Sequence, residues 1–367
     1  MRDGGPRENG SGLETAGTDS DGAVTVSNDE GRPQLHTVGR GTTDMTDGAH
    51  TAERVTLARL PSGVALTTTV HTYRGAEPGP TLYVQAAQHG REINGTEVLR
   101  RFHERLPLES LTGTVIAVPV ANPLTFDRVS YTTPEQLDSV HPNMNRIWPG
   151  DAEGSLHQRL AARLWEYVTA ADAVVDLHTG SPDMLPHVVY REGDERSRGL
   201  AAAFGTDLLL AEGAGEDAPD EWHRRGFEGK LRVAAAEAGI PSITPELAHN
   251  KQILEDVVET GVTGLLAVCR SLELLPGAVP ERDQRIARNH LGQVSADAAG
   301  LFRPTPGLAV GDEIAEGEPI GTVYDPTTYD ALQEARTERG GLLYALTREA
   351  TVTAGDQLAS VAIPAER

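Results

Sequence analysis

A histidine and a glutamate three residues apart, His89 and Glu92, form the first pattern in this sequence that could do chemistry. They follow the apolar run Thr81–Val84, typical of a buried strand, and precede Glu97–Leu106, which has a helical pattern. On such a turn the two side chains can point at one spot. Two histidines and a carboxylate can bind zinc and leave a fourth position for water. Because His-x-x-Glu alone is also a common surface pattern, it needs support from elsewhere in the chain.

A second histidine gives that support. The apolar run Ala173–Leu177 also ends in a histidine, His178, and is closed by Gly180. Asn122 and Glu246 likewise follow predicted strands. In open α/β sheets, sites form outside the carboxyl ends of the strands. We therefore expect these side chains to meet on one face of the fold.

The alternation of strand and helix patterns predicts an α/β fold with a mixed, mostly parallel sheet and helices on both faces. A hairpin of edge strands is predicted over residues 55–73. Further strands are predicted at 113–120, 187–190, 207–210 and 240–244, and helices at 155–168, 195–204, 228–238 and 253–274.

The stretch from Leu124 to Gly150 has no periodicity. A loop of that length in a compact domain is usually functional. The helix that follows it has apolar residues at 156, 160, 164 and 168. His157 lies off this stripe, so we expect it to be exposed.

Composition divides the chain into three parts. Residues 1–50 are rich in Gly, Ser, Thr and acidic residues, which predicts a disordered tail. Residues 51–288 form the predicted catalytic α/β domain. Residues 289–367 carry short strands and Gly turns, which predicts a small all-β domain resembling hammerhead lipoyl or biotinyl domains. Those domains carry their cofactor on a lysine; because no lysine follows Lys251, we expect a cover or assembly surface instead.

Four elements together resemble the succinylglutamate desuccinylase/aspartoacylase family. They are His89-Gly-Arg-Glu92, Asn145-Arg146-Ile-Trp-Pro-Gly, Asp176-Leu-His178-Thr and the Glu246 that follows a strand. The resemblance covers roughly residues 55–290. It implies the zinc carboxypeptidase-like fold, with one zinc ion per chain held by His89, Glu92 and His178.

The resemblance also implies roles for four further residues. Glu246 would be the general base, and Arg128 would polarise the substrate carbonyl and stabilise the oxyanion. Asn145 and Arg146 would bind the free carboxylate of the substrate.

Other polar side chains near these motifs stay open. Asp176 shares a strand face with His178, so it could orient that imidazole or serve as a buried structural group. We interpret the histidines at 141, 187 and 249 as structural or surface residues. The family has a tyrosine late in the chain, and neither Tyr324 nor Tyr344 is assigned to it.

Charge and composition limit the classes of function. The formal net charge is -22, and only two of the 32 basic residues are lysines, Lys230 and Lys251. This balance is typical of a salt-adapted surface and disfavours nucleic-acid binding. The single Cys269 excludes an internal disulfide. Since we see no signal peptide or membrane span, we expect a cytoplasmic protein.

The sequence therefore predicts a zinc-dependent deacylase that cleaves the amide bond of an N-acyl amino acid or a related small amide. A metallocarboxypeptidase acting on peptides is the alternative within enzymes. A non-catalytic metal-binding or regulatory protein is the alternative of another class. The predicted partner is a small-molecule substrate, with no nucleic acid and no membrane, and self-association into a homo-oligomer is left open.

Overall fold

The computed structural model describes residues 48–180, 183–213, 222–223, 226–288 and 292–364. The predicted tail lies outside the described residues except for its last three positions, where the first strand begins at Ala49. The predicted domain boundaries stay predictions.

The strands and helices come from the alternating apolar patterns of the sequence. In chain order the strands are β1 (Ala49–Arg59), β2 (Ala65–Arg74), β3 (Glu77–Ala86), β4 (Thr112–Val118), β5 (Ala173–Gly180), β6 (Asp183–Met184), β7 (His187–Arg191), β8 (Leu208–Glu212), β9 (Ser242–His249), β10 (Arg285–Arg288), β11 (Gln293–Ser295), β12 (Gly300–Pro304), β13 (Glu313–Ile314), β14 (Pro319–Tyr324), β15 (Ala331–Arg336), β16 (Gly341–Leu346), β17 (Thr351–Val352) and β18 (Gln357–Pro364). The α-helices are α1 (Asn94–Arg105), α2 (Pro123–Phe126), α3 (Leu156–Val168), α4 (Glu195–Phe204), α5 (Leu231–Glu237) and α6 (Glu255–Ser271). Single 3-10 turns lie at Leu108–Ser110, Met144–Arg146 and Phe227–Gly229.

The main sheet runs in the order β1-β2-β4-β3-β5-β9-β7-β8-β10-β18-β16-β13. Its centre is parallel, with β3 between β4 and β5, and β5 next to β9. The β1–β2 hairpin forms the antiparallel edge, as predicted, and β7 runs antiparallel to β9. The prediction of a mixed, mostly parallel sheet is confirmed.

Helices cover both faces of this sheet. Successive side chains of a strand point to opposite faces; on β3, Leu82 and Val84 pack with α1, α4 and α6, while Tyr83 packs with α3 and α5. The core clusters on the two faces consist largely of fully buried aliphatic side chains, so the central strands are buried on each side.

The carboxy-terminal strands form a second, four-stranded antiparallel sheet in the order β15-β14-β12-β17. We refer to residues 292–364 as the β region. Strand β18 belongs to the main sheet: it pairs with β10 on one side and β16 on the other. This strand fastens the β region to the α/β part. None of the helices in the described ranges is long and apolar enough to cross a membrane.

The prediction that His157 is exposed is wrong, because its side chain is fully buried. The long segment after β4 contains α2 and one 3-10 turn, and otherwise folds irregularly over α3. Its backbone and side chains bind both ring nitrogens: His157 Nδ1 lies 2.6 Å from the His141 carbonyl oxygen, and Nε2 lies 2.7 Å from Thr133 Oγ1. The helical pattern could not predict that a loop covers the side of α3 away from the sheet.

Candidate active site

Three neighbouring strands of the main sheet place the predicted site residues. His89 and Glu92 follow β3 in a tight turn, closed by the hydrogen bond from Glu92 N to His89 O (3.0 Å). A Cβ at Gly90 would lie 1.9 Å from the Thr125 carbonyl oxygen, so only glycine fits there. His178 on β5 lies opposite Glu246 on β9 in the parallel register. His89, Glu92, His178 and Glu246 share one edge of the sheet as expected, whereas Asn122, expected there too, contacts His157 instead, with 3.2 Å between Asn122 Nδ2 and His157 Nε2.

His89, Glu92 and His178 form a buried cluster of metal-ligand type. One ligand atom from each residue lies within 4.8 Å of the others. His178 Nδ1 lies 2.9 Å from Glu92 Oε2. Two imidazoles and one carboxylate suit a borderline metal ion such as Zn²⁺ and leave coordination positions open.

The second nitrogen of His178 is held by a buried carboxylate. Asp176 Oδ2 lies 2.9 Å from His178 Nε2, and the Asp176 carboxylate also accepts hydrogen bonds from Gln88 Nε2 (2.7 Å) and Gln85 Nε2 (3.0 Å). A carboxylate bound to the outer nitrogen of a metal-binding histidine fixes the tautomer and the ring orientation. Of the two readings left open for Asp176, this contact favours the orienting one.

His89 is held by the irregular segment. Its Nδ1 lies 2.8 Å from the Tyr131 carbonyl oxygen, and its ring stacks on that of Tyr131 with 4.0 Å between centroids. The guanidinium of Arg91 lies over the Tyr131 ring, 4.8 Å from its centroid. Sequence reasoning missed Tyr131, because nothing in an aperiodic stretch indicates which residue will fold back onto the site.

The charges around the donor set fit a cation. Burial lowers the pKa of His89 to about 4, so it is neutral at pH 7, as a ligand must be. Burial also disfavours the charged form of His178, but Asp176 and Glu92 outweigh it and raise the pKa well above its usual value. A divalent ion held by His178 and Glu92 would take the place of that proton.

Glu246 faces this cluster from the neighbouring strand. Its half-buried side chain lines the cavity. Burial, opposed by His178, raises its pKa to about 7. A carboxylate with a pKa near neutrality can both accept and return a proton, which is what general acid–base catalysis needs.

A basic wall borders the cluster on the side of α5. Arg146 lies over the Phe227 ring at 4.7 Å, and Lys230 Nζ lies 3.5 Å from the same centroid. Lys230 and the buried Arg232 both pair with one carboxylate, Glu212. Two cations therefore share one anion. Among the described residues, the buried Arg232 Nη1 has no hydrogen-bond partner.

Asn145 links this wall to the donor set. Its Oδ1 accepts from Leu231 N at 3.1 Å, and its Nδ2 lies 3.4 Å from His178 Nε2.

Burial lowers the pKa of Arg232 to about 10, which still leaves a cation at neutral pH. The wall is thus suited to an anion.

All these groups line one cavity of about 540 Å³, a size typical of small-molecule sites. The β region supplies part of its wall, mainly Tyr344, Thr347, Glu349, Asp356, Gln357 and Ser360. Tyr344, one of the two unassigned tyrosines, is buried there, whereas Tyr324 is exposed. Burial raises the pKa of Tyr344 to about 12, so it stays a hydrogen-bond donor.

The structure brings six of the seven predicted site residues to this cavity: His89, Glu92, Asn145, Arg146, His178 and Glu246. Arg128 is not among the lining residues. Its side chain is exposed, and its guanidinium donates to the Leu124 carbonyl at 3.3 Å. Arg91 lines the cavity beside the donor set.

The other histidines take different positions. His187 is buried, lines the cavity and packs edge-on against Tyr344, with 5.2 Å between ring centroids. His249 Nδ1 lies 3.6 Å from Asp183 Oδ1, and the backbone carbonyl of His141 contacts His157 Nδ1. None of these three belongs to the metal-ligand cluster found in the described residues.

The fold and the site together define a class: a mostly parallel α/β protein with a buried His/Glu/His site at the carboxyl edge of its sheet. Residues 78–272 match the family model described as the succinylglutamate desuccinylase/aspartoacylase catalytic domain. The chain belongs to this family, as its motifs predicted.

Relatives in this family match along most of their length. The chain is 30% identical over 299 residues to an N-alpha-acetyl-L-2,4-diaminobutyric acid deacetylase from Halomonas elongata, covering 77% of this chain and 82% of that protein. A succinylglutamate desuccinylase/aspartoacylase structure from Rhodobacter sphaeroides has a TM-score of 0.74 at 24% identity, covering 87% of this chain and 96% of that one. The product-bound ectoine utilization protein EutE (DoeB) from Ruegeria pomeroyi also has a TM-score of 0.74, at 21% identity, covering 88% of this chain and 98% of that one. These structures share the fold.

Proposed function

We propose that the protein is a zinc-dependent deacylase that hydrolyses the amide bond of an N-acyl amino acid. The observation that carries the proposal is the convergence of the His89–Glu92–His178 donor set with the carboxylate of Glu246 at one small cavity. Membership of the family and the deacetylase named among the relatives support the same reaction class.

The donor set would hold the zinc ion, which when bound supplies a Lewis acid that polarises the amide carbonyl and makes water more acidic. Asp176 and the Tyr131 carbonyl keep the two imidazoles oriented. Glu246 takes a proton from the attacking water and returns it to the departing amine. Arg128, assigned to the carbonyl by the family resemblance, would have to move from its exposed position to take that role.

The basic wall would bind the carboxylate of the substrate. Arg146 and Asn145 lie next to the donor set, and Lys230 and Arg232 add positive charge behind them. A guanidinium can bind a carboxylate through two hydrogen bonds, which orients the amide as well as holding it.

For the substrate we propose an N-acetylated diamino acid of the 2,4-diaminobutyrate type. Such a molecule carries a carboxylate and a free amine. The cavity has cations on the α5 side and the carboxylates of Glu349 and Asp356 on the β-region side. The name of the Halomonas elongata relative agrees with this choice, and the acidic composition is compatible with it.

The alternatives are less well supported. A carboxypeptidase needs room for a peptide, whereas the β region walls this cavity on one side. A non-catalytic metal-binding protein has no need of Glu246, a proton acceptor with a pKa of about 7 beside the donor set.

The decisive experiment compares substrates in the wild type and in Arg146→Ala, with the exposed Arg159→Ala as control. We expect hydrolysis of N-acetyl-2,4-diaminobutyrate in preference to N-acetylaspartate, N-succinylglutamate and short peptides. Arg146→Ala should raise KM more than it lowers kcat on the acid, and should have little effect on the carboxamide analogue. Equal losses on both compounds would contradict the carboxylate role. Peptide cleavage alone would favour the carboxypeptidase.

Metal content tests the zinc assignment separately. His178→Ala should lose one equivalent of zinc and all turnover. Turnover in a fully metal-free wild type, or undiminished zinc in His178→Ala, would overturn it.

A further inference from the structure

Three histidines and a tyrosine gather on the outer edge of the main sheet, on the face that packs against α1. His50 on β1 is the cross-strand partner of Tyr73 on β2, and His71 lies two residues before Tyr73, hence on the same face. His103 reaches this face from the last turn of α1. We call these residues the edge histidine cluster: His50, His71 and His103, with Tyr73 beneath them.

Two ligand-type nitrogens of the cluster already face each other. His50 Nε2 lies 3.1 Å from His71 Nδ1, and the ring centroids are 5.3 Å apart. Two imidazole nitrogens bound to one ion at about 2.0–2.1 Å lie about 2.9 Å apart in octahedral geometry and about 3.4 Å apart in tetrahedral geometry. The observed spacing falls between these values, so the distance between the two nitrogens is compatible with one ion bound to both rings.

His103 is the third nitrogen donor. Its Nδ1 lies 2.9 Å from the hydroxyl of the buried Tyr73, which leaves Nε2 as the free ligand atom. The His103 centroid is 4.8 Å from that of His50 and 6.1 Å from that of His71. Two imidazoles on one ion have centroids about 5 Å apart, so only the contact with His71 is long. His103 is exposed at a helix end, so its side chain has room to rotate, and it would have to turn away from Tyr73 to complete the site.

The protonation state also suits a metal. Burial, together with the repulsion of His103, lowers the pKa of His50, and burial with the repulsion of both neighbours lowers that of His71. Neutral imidazoles need lose no proton before they bind an ion. The hydrogen bond between His50 and His71 uses one nitrogen of each of these two rings and does not involve His103. A bound ion would instead contact one nitrogen from each of the three rings.

We propose that the edge histidine cluster is a second metal site, which binds a divalent transition ion through the imidazoles of His50, His71 and His103. Imidazole is the ligand shared by zinc, nickel and copper sites. The ion would join the outer strand β1 to the carboxy-terminal turn of α1, so its binding stabilises this edge of the fold. No residue of the cluster lines the catalytic cavity.

The test uses the full-length, metal-loaded protein, titrated with Zn²⁺ by calorimetry and followed by metal analysis. We compare the wild type with a His50→Gln/His71→Gln double variant and with Thr51→Ala. Thr51 is the matched control, since it neighbours His50 but points to the opposite face of the strand. Wild type and Thr51→Ala should each take up one additional equivalent and melt at a higher temperature with Zn²⁺. The double variant should do neither.

The double variant should keep its catalytic zinc and its hydrolytic rate, so loss of the second site is distinguishable from failure of the first. His103→Gln gives an independent measure, and it should weaken the additional binding without abolishing it. Uptake of the additional equivalent by the double variant would overturn the proposal, as would its absence in the wild type.

Discussion

At the scale of single residues, the register between β5 and β9 determines which side chain faces the donor set. Because His178 and Glu246 are partners across β5 and β9, the carboxylate of Glu246 faces the donor set without belonging to it. A residue in that position can act on the water without holding the metal.

Glu246→Gln should therefore separate catalysis from binding. The amide keeps the shape of the carboxylate but cannot accept the proton, so kcat should fall by ~10² or more. KM and metal content should stay close to the wild-type values. Steady-state kinetics and metal analysis check this, with Glu237→Gln, an exposed carboxylate on α5, as the matched control. Retention of more than a tenth of the wild-type kcat would remove Glu246 from the mechanism.

The buried side chain of His187 should make the free energy of unfolding depend on pH. Burial lowers its pKa to about 4 from an ordinary 6.5, so the unfolded chain binds the proton more tightly. Its contribution to stability is present above pH 6.5 and is lost as the pH falls from about 6.5 to about 4. Between pH 7 and pH 5 the loss from this residue alone should be roughly 2 kcal/mol.

Denaturant unfolding of the wild type and His187→Gln at both pH values measures this loss. The variant should show a smaller drop in stability between pH 7 and pH 5, whatever its stability at pH 7. Equal drops would mean that His187 is not the group that takes up the proton.

At the scale of elements, buried hydrogen bonds attach the irregular segment between α2 and α3 to the start of α3. His157 and the buried Asp138 fix it to α3: Asp138 Oδ2 accepts from Ser155 Oγ at 2.7 Å and from His157 N at 2.9 Å. The same segment carries Tyr131, which contacts His89, and Asn145, which approaches His178. Its anchorage therefore reaches the donor set at two points.

Replacing the anchor should weaken both stability and metal binding. His157→Leu leaves buried groups of the segment without partners, and this should lower the free energy of unfolding by about 2–3 kcal/mol. We also expect weaker zinc retention against a chelator, because Tyr131 is less firmly placed. Arg163→Ala, on the same helix but with a solvent-facing ion pair, is the comparison. A His157→Leu protein as stable as Arg163→Ala would refute the anchoring role.

The regular elements and the strand-end motifs were predictable, and the irregular parts were not. Strand and helix periodicity located the helix α3 and the strand β5, and strand ends located His178 and Glu246. Tyr131 and Arg232 were missed and Tyr344 was left unassigned, because they reach the cavity from a loop, a short helix and the β region. Their approach depends on tertiary packing, which leaves no local period in the sequence.

At the scale of the whole molecule, the charge should govern stability. With a formal net charge of -22, the carboxylates repel one another when salt is low, since the Debye length is about 30 Å at 0.01 M. We expect the melting temperature to rise as KCl is added from that level to molar concentrations. Sucrose, which carries no charge, serves as the control for solvent exclusion. A flat or falling melting temperature in KCl would contradict adaptation to salt.

Strand β18 has a consequence for the order in which the protein is made. Residues 357–364 join the main sheet to the β region, and Gln357 and Ser360 form part of the cavity wall. During translation, the donor set and Glu246 leave the ribosome about a hundred residues before this strand does. A nascent chain can therefore assemble the donor set while the cavity is still open on one side. Because the ribosome still covers the most recently added residues, β18 joins the sheet only after the chain is released, so chains truncated before residue 357 should bind metal but turn over substrate poorly.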